Sequence, residues 1–249
     1  MITLAALESY CNRLLDAGAF ADYCPNGVQV DAGTGDIRRL LTGVTASQAL
    51  IDAALERQAD LLLVHHGFFW KGEPETLTGM KGRRIRTLMQ GSVNLLAYHL
   101  PLDAHPEFGN NRQLGLRLGL DQCAALEGGL LWQAELPEPE SPDQLAQRIT
   151  AALQRTPLHL PGGPQRIRRV GWCSGGAQGL IEQAAAAGLD AFISGEVSEQ
   201  TLHQARELGI HYFAAGHHAT ERYGVQALGA HLEREFGLEH QFLDLNNPV

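Results

Sequence analysis

Cysteine is scarce and never closely paired. The four cysteines stand at 11, 24, 123 and 173. With no CxxC spacing, neither a zinc knuckle nor a dithiol redox site is expected, and no disulfide framework is indicated. A long apolar run is also missing, for nothing approaches the ~20 residues a membrane span requires. The opening stretch, MITLAALESYCNRLLDAG, has no basic leader and carries Glu8, Arg13 and Asp16 inside a helical apolar pattern. It reads as an amphipathic helix rather than a signal peptide, so the expected compartment is the cytoplasm, with no membrane partner. Positive charge is in deficit: 19 Lys and Arg stand against 28 Asp and Glu, a net of −9. Contact with a phosphate backbone needs a basic face, so this balance disfavours a broad nucleic-acid binder. Local basic clusters remain at Lys81, Arg83, Arg84 and Arg86 and at Arg166, Arg168 and Arg169. They read as a solvated helix face and a solvated strand entry.

Hydrophobic residues make up 44% of the 249 positions and charged ones 19%, an ordinary globular balance with room for one large domain or two small ones. Leu4, Leu7, Tyr10, Cys11, Leu14 and Leu15 recur at helical spacing. CPNGVQV reads as a turn and RRLLTGVTAS as a strand entering a loop. SQALIDAALERQ reads as a helix capped by Ser47. DLLLVHH and SVNLLAYH are apolar throughout, as strands buried on both faces of a parallel sheet are, and GRRIRTLMQ between them is helical. A helix is expected after Gly109. A second half begins near Asp121. There GGLLWQAEL reads as a strand, ELPEPESP as a proline-rich loop, and SPDQLAQRITAALQ as a helix capped by Ser141 with Pro142 in its first turn. PLHLPGGPQ reads as a loop. Strand and helix then alternate to a final strand in HQFLDL. This alternation predicts an α/β fold with a mainly parallel sheet in each of two halves, 1–121 and 122–249, the C-terminal helix and strand packing back on the first.

The halves resemble one another. At an offset of 130 residues, ALIDAALERQADLLLVHH lies over GLIEQAAAAGLDAFISGE, so that Asp60 meets Asp190 and His66 meets Glu196. At an offset of 118, AYHLPLD lies over AGHHATE, and His99 meets His217. Polar residues thus collect at the carboxyl ends of strands, where open α/β sheets bind ligands. Three clusters result: His65 with His66, His99 with Asp103, and His217 with His218 and Glu221. Imidazole and carboxylate together suit zinc, manganese, iron or nickel. His217 and Glu221 share a helix face if a helix starts there. Adjacent residues of a regular strand face opposite sides. At a strand terminus the backbone can turn, so His65 and His66 can each address a different ion, with Glu221 or Asp103 available as a bridge. His105, His159, His203, His211, His231 and His240 read as structural. GWCSGGAQG could cradle a phosphate or simply form a tight turn; Cys173 reads as a small buried residue, and Ser194 lacks a nucleophile context.

The segments PNGVQV (25–30), LLVHHGFFW (62–70), AYHLPLDAH (97–105), ISGE (193–196) and AGHHATERYG (215–224) resemble, in order, those of the GTP cyclohydrolase 1 type 2-like family of dinuclear-metal proteins, which includes the bacterial YbgI proteins. The resemblance spans nearly the whole chain. It implies two similar, interlocked α/β halves with the metal site between them, assembled as a ring-shaped homohexamer, a trimer of dimers. It further implies two divalent ions per chain, His65 and His217 on one, His66 and Asp103 on the other, with Glu221 bridging and His99 beside the site. Many members read HTNLD where this chain has HLPLD, so Leu100 and Pro101 replace two polar residues. The function so implied is metal-dependent hydrolysis of a nucleotide or a cyclic C–N substrate. His99, the repeat-matched histidine not spent on metal, is expected either to serve as acid or proton relay or only to orient Asp103. The alternative is a non-catalytic ring that handles metal or associates with DNA, as in a response to DNA damage.

Overall fold

A computed structural model describes residues 2–33, 35–126 and 128–249. They fall into two compact units, residues up to 108 with 224–246, and 109–223 with 247–249.

The first unit is built on a five-stranded sheet. Arg39–Thr45, Leu61–His66 and Asn94–Ala97 run parallel in that order; Glu239–Phe242 joins parallel beside the first, and Gly27–Val30 joins antiparallel beside the third. The apolar run Leu61–Val64 is fully buried because both of its faces are covered. Leu61 and Leu63 pack with Leu7 and Cys11 of helix Leu4–Leu14 and with Leu228 and Leu232 of helix Arg222–Phe236. Leu62 and Val64 face the other way, onto Leu50 and Ile51 of helix Gln48–Glu56 and Ile85 and Leu88 of helix Gly79–Gln90. The period of two along the strand therefore assigns helices to both faces. Part of the stretch read as a turn, GVQV, is an edge strand.

The second unit repeats the plan. Ile167–Cys173, Ala191–Ser194 and His211–Ala214 run parallel, and antiparallel strands flank them: Trp132–Glu140 with Cys123–Ala125 on one side and Leu158–Leu160 on the other. Val170, Ile193 and Phe213 pack beneath Leu145 and Ile149 of helix Pro142–Leu153, and Phe192 and Tyr212 against Ile181 and Ala205 on the other face. The Ser141 cap is confirmed as a full capping box with Gln144. Two loop expectations give way. LPEPE continues the strand from Trp132: the short strand Cys123–Ala125 pairs only with residues 132–134, so Pro137 and Pro139 lie where one side of the strand no longer needs its N–H groups. Within PLHLPGGPQ, Leu158–Leu160 forms the opposite edge.

The offset of 130 residues is visible in matching hydrogen bonds. Asp60 Oδ2 accepts the backbone N–H groups of Arg38 and Arg39 at 2.9 and 2.8 Å, and Asp190 Oδ2 accepts those of Arg168 and Arg169 at 2.8 Å each. Leu61 pairs with Asn94 in one sheet and Ala191 with His211 in the other. These ladders set the strand correspondence at 117 rather than 118 residues, so that His99 matches Gly216. Each of those two residues is the cap before a short helix, Leu100–Ala104 or His217–Thr220. His217 itself is one step further on, and the pairing of His99 with His217 is corrected accordingly. Among the described residues, no helix is long and apolar enough to cross a membrane.

Candidate metal centre

In the first unit, the strand Leu61–His66 ends by delivering two imidazoles together. The His65 and His66 rings lie 4.5 Å apart between centroids, tilted by 46°, and the His99 ring is 5.1 and 5.8 Å from them. Donor atoms of all three histidines lie within 4.8 Å of one another. His65 is fully buried, and its Nδ1–H donates to the Tyr98 carbonyl at 2.9 Å. That bond fixes the tautomer with the lone pair on Nε2, which lies 3.5 Å from Asp103 Oδ1. His66 Nδ1 is hydrogen-bonded to Thr45 Oγ1 at 3.1 Å, at the end of the neighbouring strand.

His99 is held from the loop that precedes the edge strand. Its Nδ1–H donates to Asp22 Oδ1 at 2.7 Å and its backbone N–H to Asn26 Oδ1 at 2.8 Å. Asp22 also accepts from Leu100 N and Asn26 Nδ2, both at 2.9 Å, and so caps the short helix that carries Asp103. Burial opposes ionisation of Asp22, but these bonds, that from His99 foremost, hold its carboxyl down at about 2. Gln29 accepts Phe68 N–H at 2.6 Å and donates to the Pro25 carbonyl at 2.8 Å, pinning the turn that follows His66. PNGVQV is thus a brace: Asn26 fixes His99 and Gln29 fixes the exit from the histidine strand.

In the second unit, His217 opens the short helix after the strand His211–Ala214. Its Nδ1–H donates to Glu196 Oε1 at 2.7 Å, and its Nε2 lies 3.1 Å from Oε2 of the buried Glu221. Burial disfavours the imidazolium, yet the carboxylates of Glu221 and Glu196 push His217 up to about 9. The glycine-rich stretch supports this pair. Gly175 has φ +66, and a Cβ there would stand 2.1 Å from Glu221 Oε1 and 3.1 Å from His217 Nε2. Its N–H donates to Thr220 Oγ1, and its carbonyl accepts from Gly195 N, Glu196 N and Ser194 Oγ. At Gly175 the backbone thus backs the carboxylate rather than cradling a phosphate. His218 donates its backbone N–H to the Val249 carbonyl.

The donors in each unit fit a divalent transition ion: imidazoles oriented through Nδ1, with carboxylates buried beside Nε2. The sequence does not single out Asp22, Asn26, Gln29, Thr45 or Glu196 as supports; Asn26 and Gln29 carry a signal only through the PNGVQV segment and Glu196 only through ISGE. The remaining histidines have structural partners: His105 accepts Phe108 N–H, His159 bonds His211, His231 bonds Tyr10, His240 bonds Thr42, and His203 pairs with Glu199. Cys173 is buried.

The family described as Duf34/NIF3 (NGG1p interacting factor 3) matches residues 2–248. A GTP cyclohydrolase 1 type 2 homolog of Allochromatium vinosum is 55% identical over 251 residues, covering 100% of this chain and 98% of that one. One of Pseudomonas aeruginosa is 55% identical over 252 residues, covering 100% and 99%. Among solved structures, a ybgI protein of unknown function superposes with a TM-score of 0.96 at 48% identity, covering 100% of both chains. TTHA1606 from Thermus thermophilus superposes with a TM-score of 0.91 at 36% identity, again over 100% of both.

Proposed function

The chain belongs to the Duf34/NIF3 family, and from that premise we propose that it holds two divalent ions per chain and hydrolyses a nucleotide or another cyclic C–N substrate. His65, His66 and Asp103 of the first unit and His217 and Glu221 of the second are the proposed ligands, with Glu221 bridging. The observation that carries the reading is the shared restraint on the imidazoles. His65, His99 and His217 each commit Nδ1–H to an oxygen acceptor, and His66 has its Nδ1 on Thr45. Such restraint sets the direction of the free ring nitrogen, as it does for metal-bound imidazoles, and here it acts on histidines gathered at strand ends beside buried carboxylates. When bound, a pair of ions would lower the pKa of water and polarise the bond under attack.

The chain's own groups then have distinct tasks. Glu196 and the Tyr98 carbonyl hold His217 and His65 in the tautomer that points Nε2 away from the restraint. Asp22 orients His99 through Nδ1, which leaves Nε2 to carry a proton to the leaving group. The relatives named GTP cyclohydrolase 1 type 2 homolog support a purine-like substrate. A six-chain ring built from dimers is carried over from the resemblance, and a cytoplasmic location from the sequence pattern of the opening stretch. The nucleic-acid alternative has less support: Arg168 pairs with Glu135 at 2.8 Å and Arg169 donates to the Gly188 carbonyl, at strand entries rather than at the strand ends that bear the histidines.

The test is metal analysis of purified and reconstituted protein, followed by a nucleotide and cyclic-substrate panel with zinc, manganese, iron and nickel in turn. Two ions per chain and turnover of one substrate class are expected. Absence of metal after reconstitution overturns the reading. His99→Gln should lose roughly 10²-fold or more in turnover at full metal content; if it loses metal instead, His99 supports the ligands rather than relaying a proton.

A further inference from the structure

The turn after the histidine strand is strained and carries an unused aromatic. Phe69 has φ +64, a left-handed conformation that a bulky side chain adopts only where its surroundings impose it. The imposing contacts are on both sides: Phe68 N–H donates to Gln29 Oε1, Lys71 N–H to the Tyr23 carbonyl at 2.7 Å, and Glu73 N–H to the Trp70 carbonyl at 2.9 Å. The result is that the chain doubles back. The Trp70 ring comes to 5.0 Å from His99, at 88° to it, and to 5.9 Å from His66.

Tyr23 meets the same histidine from the opposite loop. Its ring lies 6.4 Å from that of His99 at 66°, yet the residue is 61% exposed. Its backbone is held at both ends, N–H to Asp22 Oδ1 and carbonyl to Lys71 N. An aromatic ring on a fixed backbone, left largely in water next to candidate ligands, contributes little to folding. It offers rigid contact area with little entropy left to lose on binding. The two loops are joined by the bond between Lys71 and Tyr23, and each brings its ring edge-on to His99.

We propose that Trp70 and Tyr23 form a stacking clamp that selects a planar nitrogen heterocycle and sets it beside His66 and His99. This rests on the reading of the protein as acting on a nucleotide or cyclic C–N compound, and names the part of that substrate which is recognised. Selection acts on the ring's π-face, which every base has, so it distinguishes base from no base more sharply than one purine from another. Phosphate groups are not what these side chains recognise.

The experiment uses full-length protein reconstituted with zinc and three probes: GTP, ATP and inorganic tripolyphosphate. Affinity is read by calorimetry and ring contact by tryptophan emission. Trp132 and Trp172 are buried, 4% and 0% exposed, so a ligand-dependent change reports on Trp70. Both nucleotides should quench emission and bind about tenfold or more tighter than tripolyphosphate. Tyr23→Ala and Trp70→Ala should each weaken nucleotide binding by a similar factor and leave tripolyphosphate and zinc content unchanged. Tyr23→Phe should bind as the parent does. Trp70→Phe, a milder change should the alanine variant fail to fold, should keep binding and lose the emission change. Equal affinity for all three probes, no binding of any probe, or nucleotide binding unaffected by loss of either ring would overturn the clamp. Nucleotide binding that depends on the rings with no bond cut leaves the clamp and removes the hydrolase reading. Nucleotide turnover indifferent to Tyr23→Ala does the reverse.

Discussion

Glu196 touches His217 through the nitrogen that cannot bind metal if the other one does. Its carboxylate therefore affects ligation only by orienting the ring and raising its basicity. Glu196→Gln is expected to lower metal affinity by roughly 10- to 100-fold without altering the fold. Metal titration checks this, and an unchanged affinity would leave Glu196 as a surface partner only. The same contact makes metal uptake depend on pH. In the metal-free chain His217 titrates at about 9, above its ordinary 6.5. The stabilisation from its carboxylate partners is thus fully present below pH 6.5 and is lost as pH rises through about 9. A metal needs the neutral ring, so binding must expel that proton at any pH below about 9. Apparent affinity should climb with pH up to about 9 and then level. Calorimetry in buffers of different ionisation enthalpy at about pH 7.5 should show a proton released, and much less release at about pH 9.5. A pH-independent affinity would mean that His217 is no ligand.

At the scale of elements, the aspartates at the strand entries hold more of the fold than their exposure suggests. Asp60 and Asp190 each accept two backbone N–H groups through one oxygen, tying the start of one strand to its neighbour. Replacing Asp190 by alanine removes two hydrogen bonds whose donors water can still reach, and should cost roughly 0.5–1.5 kcal/mol. Asn can offer the same single oxygen, so Asp190→Asn should cost distinctly less. Denaturant unfolding of the two variants decides; equal losses would show that charge rather than acceptor geometry matters.

The repeat that led to these residues was legible because an apolar strand and an aspartate at its entry recur at a fixed offset. The histidines proposed as ligands stand out for a related reason, since each interrupts an apolar run where a buried strand must stop. The supports were not. Asp22 lies 77 residues from His99, and nothing local to it announces the bond. Glu196 lies 21 residues from His217 and reaches it only because parallel strands bring the two strand ends side by side. The strand through LPEPE was hidden by prolines, whose tolerance depends on which neighbours pair alongside, a fact of the sheet and not of the segment. A one-residue slip between the repeats was hidden as well, because identical His letters aligned better than the ladder does.

For the whole molecule, the proposed ligand set makes a claim that neither unit makes alone. Each unit has its own sheet with packed faces and holds only part of the proposed ligand set: His65, His66 and Asp103 in one, His217 and Glu221 in the other. If the same two ions use all five, metal must stabilise both units together, by an amount that grows with free metal above its dissociation constant. Hydrogen exchange of the metal-free protein, followed by stepwise addition of zinc, reads this directly. Protection should rise in parallel, at the same zinc concentrations, in the strand end 61–66, the helix 100–104 and the segment 217–221. Glu221→Gln should weaken the response in all three segments, including the two to which it is not joined in sequence, since a neutral amide offsets the repulsion between two cations less well than a carboxylate. Protection confined to 217–221, or to the first unit alone, would mean that one unit binds zinc without the other, and responses in both at different zinc concentrations that each binds its own ion; in either case Glu221 bridges nothing.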